Sequence, residues 1–326
     1  MLRTATQLNY ASIPRLTTPT NALGSVNTQI CCTIVIVCFH SLAELPDCLE
    51  VLSGGSPAAG LEVIVVNNSQ SDAKELALHC ASQNVGYIQS RTNIGYGAAC
   101  NLGAAQAQGR YVLFMNPDVR ISRASLQAMV DLTDKNRDLV AIGPLQGDVR
   151  GKVRGKRRSV GQIWRPGKKT LRRLSDMGRL EPTGFLGGGV LMVRKDAFDG
   201  IGGFDENVFL FHEDDDLCLR LAKQGHLAYA AGVLAVHDAG KSSPTSAALT
   251  KTKAWHLGNS KVYVACKHYG RWAGLGPLVE AVLKFANPAM LTRRGRMKAC
   301  AFLAGVWSGQ VEVMSQAAMS QAKVNR

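Results

Sequence analysis

Two groups of acids lie in a chain that is otherwise poor in them: 38 Lys and Arg face 24 Asp and Glu over 326 residues, a formal net charge of +14. In RYVLFMNPD, Asp118 follows an apolar run and Pro117. A carboxylate just past a buried strand can face a ligand crevice, and Asp is a hard oxygen ligand suited to Mg²⁺ or Mn²⁺ bridging phosphates. An ordinary Asn-Pro-Asp turn is the alternative. In FHEDDDLCLR, Glu213, Asp214, Asp215 and Asp216 are adjacent. Acids in a first helical turn offset the unpaired N–H groups and the helix dipole. Four exceed that need and repel one another, which leaves one for work as a general base beside a cleft. His237 ends the apolar run HLAYAAGVLAVH; it is either structural or a ligand next to a metal carboxylate.

These side chains need elements that carry them to one place. CTIVIVC (32–38), LEVIVVNN (61–68), VGYIQS and RYVLFMNPD (110–118) read as strands, the first two buried on both faces. Helical stretches at 42–53, 72–83 and 95–107 alternate with them. That order predicts a doubly wound, mostly parallel α/β sheet, which binds ligands at the carboxyl ends of its strands. The polar residues at those ends are His40, Ser41, Asn67, Asn68, Asn116 and Asp118. Further on, GFLGGGVLMVRKDAF (184–198) predicts a glycine turn and a strand, DDLCLRLAKQG a helix stopped by Gly225, and 226–237 another strand. Helix dominates beyond Gly240.

Other features narrow the class. NIGYGAAC has its glycines in the wrong context for a dinucleotide fingerprint, so NAD is set aside. Nine scattered cysteines without a C-x-x-C pair point to a reduced protein, not a disulfide framework or zinc site. MLRTATQLNYASIPRLTTPT has no apolar leader core, which predicts a cytoplasmic, soluble or peripheral protein. Residues 150–173 hold eleven Lys or Arg and no acid. A nucleic-acid patch, a lipid-facing loop and a solvated loop would all give that run; aromatic residues interleaved with it, which nucleic-acid binding needs, are limited to Trp164. Residues 274–299 alternate apolar and basic clusters and read either as a surface lying on an anionic membrane or as a helical hairpin.

Taken in order, TIVIVCFHS, EVIVVNNSQSD, NIGYGAACNLGAAQAQGRYVLFMNPDV, GFLGGGVLMVRKDAFDGIGGFDENVFLFHEDDDLCLRLAKQG and VHDAG resemble the family-2 glycosyltransferases of the GT-A fold. The likeness is to the rhamnosyltransferase-type members that build bacterial cell-surface polysaccharides. It spans about residues 31–243, and NSKVYVACKHYG is similar to the helical extension of the same subgroup. The resemblance implies a Rossmann-like GT-A domain at 30–243, containing the basic loop 150–173, after a flexible segment 1–29 and before a helical extension 244–326.

It also implies roles. Phe39, His40 and Ser41, with Asn67, Asn68, Asn93, Gly95 and Asn116, would bind the donor nucleotide. Asp118, with His237 as a second ligand, would hold Mn²⁺ or Mg²⁺. Asp214 would be the base. Gly187, Gly188 and Gly189, with Glu213 and Asp215, would face the acceptor, leaving Asp216 to open the helix. The implied reaction is an inverting transfer of a rhamnose-type sugar from a dTDP-, UDP- or GDP-linked donor. Its acceptor would be a lipid-linked or polysaccharide chain at the cytoplasmic face of the inner membrane. Two positions depart from the family: Asn67 stands where an Asp usually contacts the base, and His40 where many members carry Asn. A nucleotidyltransferase is the competing enzyme, but CFHSLAEL lacks the Gly-rich cationic loop it needs. A non-catalytic sugar-nucleotide-binding protein would tolerate loss of Asp118 or Asp214, and both are present.

Overall fold

The computed structural model describes residues 30–53, 60–148, 179–187, 189–237 and 246–324. The segment 1–29, the basic run 150–173 with Trp164, and Gly188 lie outside the described residues. The described chain divides into two compact units, one holding 30–148, 179–206 and 217–237, the other 207–216 and 246–324.

The first unit is built on β1 (Cys32–Cys38), buried at every position. Successive strand side chains face opposite ways. Ile34 and Ile36 pack into a layer with Leu45 and Leu49 of α1 (Leu45–Ser53) and Leu76 of α2 (Ala73–Ser82). Val35 and Val37 enter the other layer, with Ala99 and Leu102 of α3 (Tyr96–Ala104). A strand covered on both faces must be apolar throughout, and each such side chain contributes about 1.5–3 kcal/mol on burial. The small residues of α3 let it lie close on the sheet: a Cβ on Gly103 would sit 2.4 Å from Val35 Cγ1.

β2 (Leu61–Asn67), β3 (Gly86–Gln89) and β4 (Tyr111–Met115) join β1 in parallel, in the order β3-β2-β1-β4. The chain then forms β5 (Val119–Arg120), α4 (Arg123–Lys135), β6 (Leu139–Gly147), β7 (Leu180–Thr183), β8 (Val190–Arg194), α5 (Lys195–Gly200) and β9 (His226–His237). α4 starts at Ser122, whose Oγ accepts the Ser125 N–H at 3.1 Å. β8 enters antiparallel between β4 and β6, β9 runs parallel to β6, and β5 and β7 pair antiparallel with β9. This half of the sheet brings strand ends from far apart in sequence next to the Asp118 turn. α6 (Glu213–Leu221) contributes Leu217, Cys218 and Leu221 to the second layer. Its first turn, through Asp216, belongs to the second unit.

The second unit also contains α7 (Ala247–Tyr269), α8 (Leu275–Leu283) and α9 (Arg293–Val324). α7 and α9 approach at glycines: a Cβ on Gly258 would meet the Phe302 carbonyl oxygen at 2.3 Å, and one on Gly305 the Trp255 carbonyl oxygen at 2.0 Å. Val262, Cys266, Ala281, Phe302 and Val306 form the small core between these helices. Among the described residues no helix is long and apolar enough to cross a membrane.

Candidate active site

Asp118 leaves β4 through the Asn116-Pro117 turn and is followed at once by β5, whose Val119 pairs with His237 at the end of β9. That pairing sets His237 beside Asp118, with Nε2 3.3 Å from Oδ1. The Asp118 side chain is 1% exposed, and neither carboxylate oxygen receives a hydrogen bond among the described residues. His237 Nδ1 lies 3.1 Å from Gln146 Oε1. An amide oxygen only accepts, so a neutral ring paired with it carries its proton on Nδ1 and presents Nε2 to Asp118. In that tautomer two lone-pair groups face each other in a buried place, an arrangement that a divalent cation would relieve. A buried carboxylate oxygen and an imidazole nitrogen 3.3 Å apart are a donor pair that Mg²⁺ or Mn²⁺ would accept. Among the described residues no third His, Cys, Asp or Glu joins the pair, so the donor set fits a cation completed by phosphate oxygens and water.

Gln146 is the residue that sequence reasoning missed here, and Gly189 has a further role beside it. Gln146 sits on β6, beside β9, and fixes the His237 ring. Gly189 was expected on the acceptor side; a Cβ there would come within 2.8 Å of His237 Cε1. Its carbonyl accepts the Asn116 N–H at 3.0 Å, tying the ring's neighbour to the Asp118 turn. Gly187 has looser surroundings, with Gln146 Nε2 3.7 Å from a built Cβ.

The expected nucleotide-binding residues divide into two kinds. Asn67 is fully buried. Its Oδ1 accepts from the Ser69 N–H and hydroxyl, each at 3.1 Å, and its Nδ2 donates to Tyr87 and Gln89 at 3.2 and 3.0 Å. Asn68 donates to Asn93 Oδ1 and the Gly95 carbonyl, and accepts from Ser90 and the Ile94 N–H. Both side chains therefore cross-link the β2 and β3 ends, and the Asn67 amide is engaged within that network. Ser41, also buried, is engaged with the Phe39 backbone. Gly95 caps α3 with φ +89°, a conformation that suits glycine. What faces outward is the Phe39 ring, half-buried, the His40 ring and the Asn93 amide. His40 has φ +54°, a left-handed backbone that Asn and His adopt more readily than most residues. Its Nδ1 meets Ser71 Oγ at 2.8 Å.

In the second unit, Phe211 and His212 both have left-handed backbones, φ +65° and +63°, at about 1–2 kcal/mol each. They turn the chain into the acidic start of α6. The four acids there are not equivalent. Asp215 meets His212 Nδ1 at 2.8 Å. Asp216 is fully buried and binds Lys267 Nζ at 2.7 Å and His268 Nε2 at 2.8 Å. It lies in the first turn of α6, as expected, and is in addition an anchor for α7. Glu213 is buried, and Oε2 has no partner among the described residues. Burial first, then the charges of Asp214 and Asp215, push its carboxyl up from 4.5 to about 8. Asp214 is the one acid of the four that is not buried, and its Oδ1 accepts the Asp215 N–H at 2.9 Å.

The Glu213 shift has a measurable consequence. Between about pH 4.5 and about pH 8 the folded chain keeps a proton that the unfolded chain releases, so stability falls as pH rises through that window. Glu213→Gln removes that dependence. The melting temperature of the wild type should decline from about pH 5 to about pH 8 more steeply than that of the variant; parallel profiles would show that Glu213 titrates normally.

A mixed α/β sheet with a metal-compatible carboxylate at a strand end is the architecture of the GT-A glycosyltransferases. Residues 33–202, more than half of the chain, match the profile of Glycosyl transferase family 2, and residues 174–233 match that described as N-terminal domain of galactosyltransferase. The chain belongs to glycosyl transferase family 2 and is a glycosyltransferase. This sets aside the nucleotidyltransferase and non-catalytic readings.

Among its relatives is the N-acetylglucosaminyl-diphospho-decaprenol L-rhamnosyltransferase of Mycobacterium tuberculosis, 29% identical over 238 residues, covering 65% of this chain and 77% of that protein. Rhamnosyltransferase WbbL of Escherichia coli K12 is 36% identical over 81 residues, 24% of this chain and 30% of that one. Among solved structures, the mannosyltransferase PcManGT from Pyrobaculum calidifontis, in complex with GDP-Man and Mn²⁺, aligns with a TM-score of 0.54 at 14% identity, over 93% of this chain and 91% of that one. Staphylococcus aureus TarS 1–349 with UDP-GlcNAc aligns at 0.51 and 14% identity, over 88% and 92%. These two likenesses show the fold.

Proposed function

We propose that this glycosyltransferase is metal-dependent and inverting, and that it moves a rhamnose-type deoxyhexose from a nucleotide-diphosphate donor to a hydroxyl of a lipid-linked surface glycan. The observation that carries the metal dependence is the buried Asp118 carboxylate, which receives no hydrogen bond among the described residues and lies 3.3 Å from His237 Nε2. Asp118 and His237 would hold Mn²⁺ or Mg²⁺, and Gln146 would keep the ring in the binding tautomer. Bound there, the ion supplies positive charge to the leaving diphosphate. Asp214 takes the proton of the acceptor hydroxyl. The hydroxyl oxygen bonds to the anomeric carbon as the bond to the diphosphate breaks, and one displacement inverts that centre. Phe39, His40 and Asn93 meet the nucleotide, on the scaffold that Asn67, Asn68 and Gly95 build. Gly187, Gly188, Glu213 and Asp215 remain on the proposed acceptor side, with Glu213 in its protonated form.

The rhamnosyltransferase names of two relatives support the sugar, and the diphospho-decaprenol in one of those names supports a lipid-linked acceptor. Such an acceptor supports action at the cytoplasmic face of the inner membrane. Thermal-shift measurements with dTDP-, UDP- and GDP-linked sugars, each with Mn²⁺, Mg²⁺ or chelator, test the donor. One nucleotide class should stabilise the protein only when metal is present. Transfer to a polyprenyl-diphosphate-linked GlcNAc should yield a product of inverted anomeric configuration by NMR. Stabilisation by no sugar nucleotide, or retained configuration, would overturn the reading.

A further inference from the structure

The second unit carries apolar side chains outward as well as inward. On α8, Pro277 and Ala281 are buried and Leu278 packs on the small core. On the other side of the same helix, Leu275, Val279, Val282 and Leu283 are 47, 58, 59 and 65% exposed. Their spacing of four, seven and eight residues aligns them in one stripe. The 3-10 turns Lys284–Ala286 and Pro288–Leu291 continue it, with Phe285 and Leu291 at 40 and 85%. An apolar surface of this kind marks a binding face.

Its charge identifies the occupant. Between Arg271 and Lys298 there are six cations and one acid, Glu280, a net of +5. Glu280 is itself engaged with Lys261 and Lys284. Arg293, Arg294 and Lys298 are exposed just past the apolar turns. Trp272, exposed and covered by the Arg271 guanidinium at 5.1 Å, stands at the other end. A second copy of this chain would set one cationic rim against another, which opposes self-association. An anionic lipid surface accepts both parts: aliphatic groups enter the headgroup boundary and the Arg and Lys side chains meet phosphates. With nine residues, α8 is too short to span a bilayer and suited to lying along it.

We propose that α8 and the turns after it form the face by which this protein lies on an anionic membrane. The proposal stands on the second unit alone, so it can hold where the donor or metal assignment fails, and the reverse. The test is flotation of the full chain with vesicles of phosphatidylglycerol and phosphatidylethanolamine, against vesicles of phosphatidylcholine. Binding should be confined to the anionic vesicles and weakened by high salt. Val279→Asp with Leu283→Asp, and separately Arg293→Glu with Arg294→Glu, should each lower vesicle binding at least about tenfold. All four side chains are exposed, so melting temperature and turnover of a water-soluble acceptor should match the wild type. Absence of wild-type binding to anionic vesicles would overturn the proposal, as would variants that float as the wild type does. So would light scattering that shows a wild-type dimer made monomeric by Val279→Asp with Leu283→Asp, without vesicle binding. If one variant pair loses its fold, the other decides.

Discussion

Asp214→Asn should lower kcat by about 10³-fold, within the range that general-base removal produces, while the affinity for the sugar nucleotide stays at the wild-type level. The expectation rests on what the neighbouring acids do. Glu213 keeps its proton to about pH 8, Asp215 faces His212, and Asp216 is held between Lys267 and His268. Asp214 is the acid of this turn that is not buried. Asn retains the oxygen that accepts the Asp215 N–H, so the start of α6 and the melting temperature should be preserved. Turnover of Asp214→Asn is to be compared with Glu213→Gln and Asp215→Asn, with donor affinity measured by calorimetry. Turnover of Asp214→Asn within about tenfold of the wild type would remove it as the base.

Asp118→Asn should separate two quantities that ordinarily move together. In Mn²⁺, donor affinity should fall by about 10–100-fold or more, since a carboxylate ligand is lost. In chelator, wild type and variant should bind the donor alike. The metal-free melting temperature should rise, because the substitution removes a buried charge that has no hydrogen-bond donor among the described residues. Gln146→Leu should give a smaller loss of Mn²⁺ affinity, by releasing the His237 ring from its fixed tautomer. Donor titrations of Asp118→Asn that respond to Mn²⁺ as the wild type does would exclude Asp118 as a ligand.

Where local pattern decided the structure, the sequence was readable. CTIVIVC has to be apolar on both faces because α1 and α2 cover one and α3 the other, and GYGAACNLGA has to be small because Val35 lies against it. The segment 119–148 was not read as β5, α4 and β6, since its meaning lies in partners that pair with it much later in the chain. Gln146 and His237 are 91 residues apart, and nothing in QGD or LAVH declares that one orients the other. The enclosure of Asn67 was illegible for a related reason. Its residue type suited a base contact, but its amide is enclosed by Ser69, Tyr87 and Gln89, which only the folded β2–β3 edge assembles. The acids of α6 were separable in part: Asp214 was distinguished by motif, whereas the duty of Asp216 depends on Lys267 and His268, over fifty residues on.

The amide lattice of Asn67 and Asn68 divides labour along the proposed donor loop. Its members hold shape, with the Asn93 oxygen accepting from Asn68 and the Gly95 N–H, while the rings of Phe39 and His40 are displayed on that frame. If the proposed donor site holds, preference for one nucleobase over another can drift by exchange of surface groups alone, at little expense in fold stability. A preset loop also loses little freedom when the donor arrives, so each contact counts more fully toward affinity. In lineages that build chemically varied coats, such a loop lets a duplicated copy change its donor before anything in its interior has to change.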